Sequence, residues 1–169
     1  MDCDENLSSQ TTGSARPGLG KKFAQGVLGL RETGGSRQGI QPDEHHGFAA
    51  LQDNRPVGLV TYRIEGDQCE ITILNSLVEG VGIGSALIDV VRDVAINEQC
   101  KRLVVITTND NTPALRFYQK RGFVLVAIYR NAVEKARKLK TEIPQTGVDG
   151  IPLRDEIELE LLLQEGLVR

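Results

Sequence analysis

The chain has 169 residues, which is the size of one ordinary domain and excludes two independent enzyme domains. Its 20 Lys and Arg against 23 Asp and Glu give a net charge of -3, too balanced for a protein whose main partner is nucleic acid. No stretch approaches the roughly 18 apolar residues of a membrane span, so we expect a soluble protein without a membrane partner.

Residues 1–46 are interpreted as a loosely ordered amino-terminal arm. Half of the 18 glycines lie in the first 47 residues, among Ser, Thr and Gln. Apart from a short apolar run at residues 23–30, this composition has little regular periodicity. We therefore predict that the folded domain spans residues 47–169.

Short apolar runs separated by turn residues follow the arm and predict three consecutive strands. The first two cover residues 48–51 and 57–64. In the third, Cys69, Ile71 and Ile73 alternate with Glu70, Thr72 and Leu74, the period of a half-buried strand. A three-stranded antiparallel meander is the simplest arrangement.

The period of the apolar residues changes after the glycine-rich segment 79–84. Leu87 and Val91 fall on one face of a predicted helix that ends near Cys100. The continuous apolar run 103–106 is typical of a central strand buried on both faces. Strand, helix and strand together predict a parallel crossover.

A short helix with clear end signals comes next. Thr112 is the predicted N-cap, Pro113 takes the first helical position and Gly122 supplies the left-handed stop. The remaining elements are a strand at 123–129, a basic helix at 132–140, a loop at 141–152, and a closing strand near 157–161 with one wet face. The predicted fold class is α/β (α+β): one domain with a mixed, mostly antiparallel sheet flanked by helices.

The glycine-rich segment, Glu-Gly-Val-Gly-Ile-Gly, lies between a strand and an amphipathic helix. Its backbone N–H groups are free of any ladder and point with the helix dipole, a place that binds anions and usually phosphate. A P-loop would need a lysine before Ser85, and a dinucleotide fingerprint would need glycine at that position. A turn that serves only helix packing is a further alternative.

Two spaced motifs together resemble the acetyl-CoA-binding segments of the GNAT superfamily of N-acetyltransferases: Glu79-x-x-Gly82-x-Gly84, and Asn111-x-x-Ala114-x-x-x-Tyr118-x-x-x-Gly122-Phe123. The motifs span residues 57–126 with their flanking strands, and the order of strands extends the resemblance to about residue 163. The resemblance implies a GNAT-like acyl-CoA N-acyltransferase fold, acetyl-CoA as cosubstrate and no metal.

The resemblance also implies the residues of the cofactor site. These are Leu77, Val78, Gly80, Gly82, Ile83, Gly84, Ser85, Asn111 and Ala114. The pyrophosphate would bind the N–H groups around positions 82–85. The pantetheine arm would lie in a gap between residues 74–78 and residues 103–107.

Two catalytic roles follow from the same resemblance, for direct transfer of acetyl to a primary amine. Tyr118 would protonate the leaving thiolate, since its ordinary pKa of about 10 exceeds the roughly 8.5 of a thiol. Glu70, on the strand that ends at the cofactor, would accept a proton from the amine through water. The alternatives are that Tyr118 packs with Ala114 and Phe117, and that Glu70 faces solvent.

Some features leave other readings open. The family usually has Gln or Arg where this chain has Glu79, which favours a catalytically inactive acyl-CoA-binding module or regulator as the alternative function. A nucleotide-binding regulator is a third reading. The glycine-rich arm leaves the acceptor pocket open, mobile or completed by a second subunit in a homodimer, and the acceptor itself is unknown.

The cysteines and histidines are given no chemical role. Cys3, Cys69 and Cys100 are scattered without a CxxC pair, which argues against a disulfide framework and a structural zinc site. Cys69 is predicted to be an inert buried thiol. His45 and His46 would face opposite sides of a strand. The acidic start of the chain, without the apolar core of a secretory signal, predicts a cytoplasmic location.

Overall fold

The computed structural model describes residues 27–31 and 46–163 of the chain. The strands in these ranges are β1 (Val27–Arg31), β2 (His46–Gln52), β3 (Arg55–Glu65), β4 (Gln68–Ser76), β5 (Arg102–Thr108), β6 (Val124–Tyr129) and β7 (Glu156–Leu162). The helices are α1 (Ile83–Asn97), α2 (Thr112–Gln119) and α3 (Ala132–Leu139), with a 3-10 turn at Val148–Gly150. Among these, no helix is long and apolar enough to cross a membrane.

The strands form one seven-stranded sheet in the order β1-β2-β3-β4-β5-β7-β6. Only β4 and β5 pair in parallel within the described part of the chain, and every other neighbouring pair is antiparallel. The predicted mixed, mostly antiparallel sheet is therefore confirmed. So are the meander of β2, β3 and β4 and the crossover from β4 through α1 to β5.

Strand β1 lies inside the arm that the sequence predicts to be loosely ordered, and the strand was not predicted. It pairs with the length of β2, from Val27 opposite Ala50 to Arg31 opposite His46. Its glycine weakens the local strand pattern, so pairing with β2 decides the conformation. Residues 1–26, 32–45 and 164–169 lie outside the described residues, and the domain boundary at residue 47 stays a prediction.

The core lies between α1, α2 and one face of the sheet. Leu87 and Val91 of α1 are fully buried in one cluster with Cys69, Leu103 and Leu159 from the middle strands. We call this side of the sheet the helix face. Because side chains alternate along a strand, Glu70, Val104, Glu158 and Glu160 point to the opposite side, which we call the far face.

A β-bulge interrupts β4 at Thr72. Thr61 of β3 lies opposite Ile73, but the next residue of β3, Tyr62, lies opposite Ile71, so one residue of β4 is extra. The bulge turns Ile73 outward, where it is 46% exposed, and Leu74 packs against the core instead. The alternation that predicted Ile73 on the buried side is therefore wrong beyond Ile71.

The two parallel strands separate just after this bulge. Pairing between β4 and β5 ends at Ile71 opposite Val105. The gap predicted between residues 74–78 and 103–107 therefore exists, but on β5 it starts only at Ile106. Residues 103–105 still belong to the paired part, because the strands diverge at the bulge rather than at the sheet centre.

Helix α2 begins one residue earlier than predicted. Its N-cap is Asn111, whose side-chain Oδ1 accepts a hydrogen bond from the backbone N–H of Ala114 at 3.2 Å. Thr112 is the first helical residue rather than the cap, since Asn caps a helix at least as well as Thr. The predicted stop is confirmed, because Gly122 has a left-handed φ of 86°.

Candidate active site

The turn before α1 presents a set of unpaired backbone donors. The first hydrogen bond of the helix runs from the N–H of Ala86 to the carbonyl of Gly82 at 3.0 Å. The N–H groups of residues 82–85 have no acceptor within the described residues, and the positive end of the helix dipole lies at the same place. Such an arrangement binds an anion.

The glycines of this turn are required for two different reasons, backbone conformation and close packing. Gly80 and Gly82 adopt left-handed φ angles of 76° and 90°, and a Cβ at either would meet nothing within 4 Å. At these two positions glycine is required by the backbone and the space beside it is open. At Gly84 a Cβ would come within 3.0 Å of the Phe117 ring, so this glycine allows α1 and α2 to pack closely.

Arg121 brings a positive charge to the start of α1. Its Nε donates to Ser85 Oγ at 2.9 Å, a second guanidinium nitrogen donates to the same oxygen, and Nη1 donates to the carbonyl of Phe117 at 2.8 Å. The guanidinium carbon lies 3.4 Å from the centroid of the Phe117 ring. Burial lowers the pKa of Arg121, but an arginine stays charged at neutral pH.

The sequence did not single out Arg121 for this role. Glu79, the acidic residue of the first motif, is exposed in the turn. A signal was present, because Arg121 closes the second motif just before the left-handed glycine. The second motif does not contain Ser85, the hydrogen-bond partner of Arg121, because Ser85 belongs to α1.

The chain between β4 and the glycine turn carries two exposed apolar side chains. Leu77 is 76% exposed and Val78 is also exposed. The N–H of Leu77 donates to the carbonyl of Val57 at 2.8 Å, and Ser76 Oγ donates to the carbonyl of Val78 at the same distance. The segment is thus held by the sheet while its apolar side chains stay available for contact.

The two asparagines after β5, Asn109 and Asn111, make structural hydrogen bonds. Asn111 commits its amide oxygen to the cap of α2, where Ala114 packs at the edge of the core. Asn109 donates from Nδ2 to the carbonyl of Pro152 at 2.9 Å, and its Oδ1 accepts from the N–H groups of Arg154 and Asp155. Asn109 therefore fastens the loop before β7 to the end of β5.

Tyr118 is buried on the inner side of α2. Its ring makes edge contacts with Phe117 and Phe123, with centroids 5.3 Å apart in both pairs. Burial raises the pKa of Tyr118 to about 12, against the opposing charge of Arg121. No hydrogen bond engages its hydroxyl within the described residues, so the residue is both a packing ring and a protonated donor.

Glu70 lies on the far face, in the part of β4 that still pairs with β5. It is directly opposite Arg63 of β3, whose Nε and Nη2 lie 2.9 and 2.7 Å from the same carboxylate oxygen, Oε2. Its side chain is 15% exposed, so it is not the solvent-facing strand residue of the alternative reading. The carboxylate is already engaged by a cation.

The buried thiols match the inert reading. Cys69 and Cys100 are free and buried. Burial raises the pKa of Cys69 to about 12, which removes thiolate at neutral pH, and burial also raises the pKa of Cys100. Within the described ranges, no group of His, Cys, Asp and Glu is arranged to hold a metal ion.

An open cleft of about 630 Å³ lies on the far face beside the strand gap. It is lined by Ile106, Ile128, Tyr129, Arg130, Ala132, Lys135 and Glu156. Ile106 is the first residue of β5 beyond the pairing with β4, so the cleft reaches the gap. Tyr129 connects this lining to further polar groups, because its hydroxyl donates to Glu158 Oε2, and Arg102 lies 3.7 Å from Glu158 Oε1.

The sequence pattern missed this cleft. The alternating glutamates of β7 were interpreted as a wet face, but β7 is an inner strand between β5 and β6, and Glu158 is only 9% exposed. The signal that could have indicated the cleft was the charge of β7, because three glutamates alternate on this strand beside the apolar β5. The pairing with Tyr129 is a contact between distant parts of the chain.

In this fold a parallel pair of strands separates just before a glycine-rich turn that begins a helix. Residues 25–123 match the model of the acetyltransferase (GNAT) family. The chain belongs to this family, and the resemblance that its two motifs carry is confirmed.

Individual relatives agree with this assignment. The Bacillus subtilis (strain 168) protein YdhI is 50% identical over 116 residues, which cover 68% of this chain and 72% of YdhI. A GNAT family acetyltransferase from Elizabethkingia anophelis with acetyl-CoA bound has a TM-score of 0.66 and 23% identity, covering 81% of this chain and 98% of its own. An IAA acetyltransferase from Bacillus cereus ATCC 14579 has a TM-score of 0.65 and 22% identity, covering 82% of this chain and 100% of its own. Both structures have the same fold.

Proposed function

We propose that the protein transfers an acetyl group from acetyl-CoA to a primary amine of an acceptor, which attacks the thioester directly. The observation that carries the proposal is the row of unpaired N–H groups at residues 82–85, beside a gap between parallel strands, in a member of an acetyltransferase family. The acetyl-CoA bound to the Elizabethkingia anophelis relative supports this choice of cosubstrate.

The cofactor would occupy the site from the helix start to the strand gap. Its pyrophosphate accepts hydrogen bonds from the N–H groups of Gly82, Ile83, Gly84 and Ser85, with the left-handed Gly80 shaping the turn. Arg121 adds a positive charge that offsets the exposed Glu79. Leu77 and Val78 supply apolar contact outside the turn, and the pantetheine arm runs between Ile73 and Ile106.

The reaction breaks the thioester C–S bond as the amine nitrogen forms a bond with the carbonyl carbon. The thiolate leaves with the electron pair and takes a proton from Tyr118, whose raised pKa keeps its hydroxyl protonated at neutral pH. The amine gives up a proton to a base. Glu70 is the base that the sequence predicts. Its carboxylate is already engaged by Arg63, which leaves it less free to accept a proton than other carboxylates on the far face.

Direct attack agrees with the state of the cysteines. A covalent acetyl-enzyme would need a reactive thiolate, but burial raises the pKa of Cys69 to about 12. The acceptor approaches from the far face, through the cleft that Ile106 links to the gap. The cytoplasmic location and the homodimer that the sequence predicts stay predictions.

The proposal is tested by following release of free thiol from acetyl-CoA in the presence of primary amines. We expect release that depends on both the amine and the acetyl-CoA concentration, together with an N-acetylated product by mass spectrometry. A protein that binds CoA but releases no thiol with any amine would be the inactive acyl-CoA-binding module. Tighter binding of NAD or ATP than of CoA would indicate the nucleotide-binding regulator instead.

A further inference from the structure

A tyrosine and a glutamate meet on the far face beside the place where β4 and β5 separate. Glu158 of β7 lies directly opposite Ile106, the first residue of β5 beyond its pairing with β4. Tyr129 of β6 donates its hydroxyl proton to Glu158 and also lines the cleft. The pair therefore links the acceptor cleft to a buried carboxylate.

The register places Glu158 further along the sheet toward its open end than Glu70. Glu70 lies opposite Val104, in a row that is still part of the paired sheet. Glu158 lies opposite Ile106, two residues further along β5 toward the open end. Along the strand direction, Glu158 is therefore level with the start of the gap, whereas Glu70 is level with the paired rows, and a base must act near the reacting nitrogen.

The two carboxylates also differ in what holds them. Arg63 contacts Glu70 through both Nε and Nη2. Arg102, the cation nearest to Glu158, donates instead to Glu160 at 3.0 Å and to Gln68 at 2.6 Å, and stands 3.7 Å from Glu158. The hydrogen bond that Glu158 receives thus comes from Tyr129, and it leaves the phenolic oxygen free to accept another.

Tyr129 is suited to pass a proton rather than to hold a charge. The hydrogen bond to Glu158 raises the pKa of Tyr129, so its hydroxyl stays neutral across the pH range of the reaction. The residue is 43% exposed in the cleft, while Glu158 beneath it is buried. The charged groups around the pair are Arg102 on β5, Glu156 and Glu160 on β7, and Arg130 and Lys135 beside the cleft.

We propose that the acceptor amine binds in this cleft and loses its proton through Tyr129 to Glu158. The ammonium form of the acceptor donates an N–H to the phenolic oxygen and gives up that proton, the tyrosine hydroxyl proton moves to the carboxylate, and the tyrosine ends neutral as it began. The freed nitrogen pair then attacks the thioester carbon. This inference rests on the proposed function, since it assigns the base of that reaction.

The test compares four variants with the parent: Tyr129→Phe, Glu158→Gln, Glu70→Gln and, as the matched control, Glu160→Gln. Glu160 shares the strand, the face and the Arg102 contact of Glu158 but lies further from the gap. The acceptors are spermidine, tyramine and glycinamide. The kcat and the KM for amine and for acetyl-CoA are measured separately from pH 6 to pH 9.

We expect Tyr129→Phe and Glu158→Gln each to lower kcat with the amine about a hundredfold near pH 7. The loss should shrink as the pH rises toward the amine's own pKa, because the amine then needs no base. The KM for acetyl-CoA should stay unchanged, and Glu160→Gln should stay within about threefold of the parent. A merely structural role would not move the pH profile.

Several results would overturn the inference. One is parental kcat in Glu158→Gln or in Tyr129→Phe, and another is a loss in Glu70→Gln alone. If Glu158→Gln does not fold, Tyr129→Phe at an exposed position decides the question. A parent that binds CoA but acetylates none of the three amines also contradicts it. A parent that does not bind CoA contradicts the proposed function instead.

Discussion

Individual residues of the two motifs divide into those that serve backbone geometry, those that serve packing and those left free for chemistry. Gly82 is required by its φ of 90°, whereas Gly84 is required by the nearby Phe117 ring. A valine at Gly84 would thus disturb the contact between two helices as well as the turn. Asn111 caps α2 with its side chain, and the hydroxyl of Tyr118 has no partner among the described residues.

Removing the hydroxyl of Tyr118 separates catalysis from packing. Tyr118→Phe keeps the edge contacts with Phe117 and Phe123 and removes only the donor. We expect kcat to fall about a hundredfold to ten-thousandfold, which is roughly 3 to 5 kcal/mol of barrier. The melting temperature and the affinity for CoA should change little, because no hydrogen bond within the described residues is lost.

The matched control for this variant is Tyr62→Phe, which removes the hydroxyl of a buried tyrosine in the same core, on β3. It should retain the parental kcat. Because burial raises the pKa of Tyr118 to about 12, its hydroxyl should cause no change in rate between pH 6 and pH 9. Turnover of Tyr118→Phe within about threefold of the parent would make Tyr118 a core tyrosine with water as the acid.

At the scale of elements, the loop between α3 and β7 is fastened to the end of β5 by a buried carboxylate. Asp110 accepts from the N–H of Val148 at 2.8 Å, and its other oxygen has no partner in the described structure. Burial works against the charge of Asp110, but hydrogen bonds from Thr108 and Val148 prevail and lower its pKa. A Cβ at Gly147 would lie 1.9 Å from Asp110 Oδ2.

This close approach makes Gly147→Ala a test of the fastening. We expect a loss of about 2 to 3 kcal/mol in the free energy of unfolding, measured with denaturant, because loop and carboxylate must separate. Gly150→Ala is the control in the same loop. A Cβ there meets nothing within 4 Å, so its cost is the left-handed backbone alone, about 1 kcal/mol. Equal effects of the two variants would contradict the fastening.

Acid should weaken the same contact. The pKa of Asp110 is lower in the folded chain than the ordinary value of about 3.9, so its contribution is complete above that value and is lost as the pH falls toward the folded pKa. The difference in stability between the parent and Asp110→Asn should therefore be constant near pH 7 and shrink below about pH 4. A difference that grows on acidification would contradict the direction of the shift.

Elements with a strong local pattern were predictable and contacts between elements were not. The period of α1, the left-handed stop at Gly122 and the alternation up to Ile71 are all local signals. The bulge at Thr72 has no such signal, since the residues around it all favour strands. It depends on the register of β3 against β4, and it decides where the strand gap opens.

At the scale of the whole molecule, the candidate site combines parts that lie far apart in the chain. The donors come from the turn before α1, the phenol from α2, and the far-face cleft proposed for the acceptor from β5, β6, α3 and β7. The sequence predicted the first two because each lies within a spaced motif. It could not predict the pair of Tyr129 and Glu158, because only the sheet order brings β6 beside β7.

The central claim is that the turn at residues 80–85 binds the pyrophosphate of CoA, and titration calorimetry with CoA tests it most directly. The parent should bind one CoA per chain, and Gly82→Val should lose at least about tenfold in affinity, or roughly 1.4 kcal/mol. Gly66→Val, at another left-handed glycine with open space in the β3–β4 turn, should bind like the parent. No binding by the parent, or equal binding by Gly82→Val, would contradict the account.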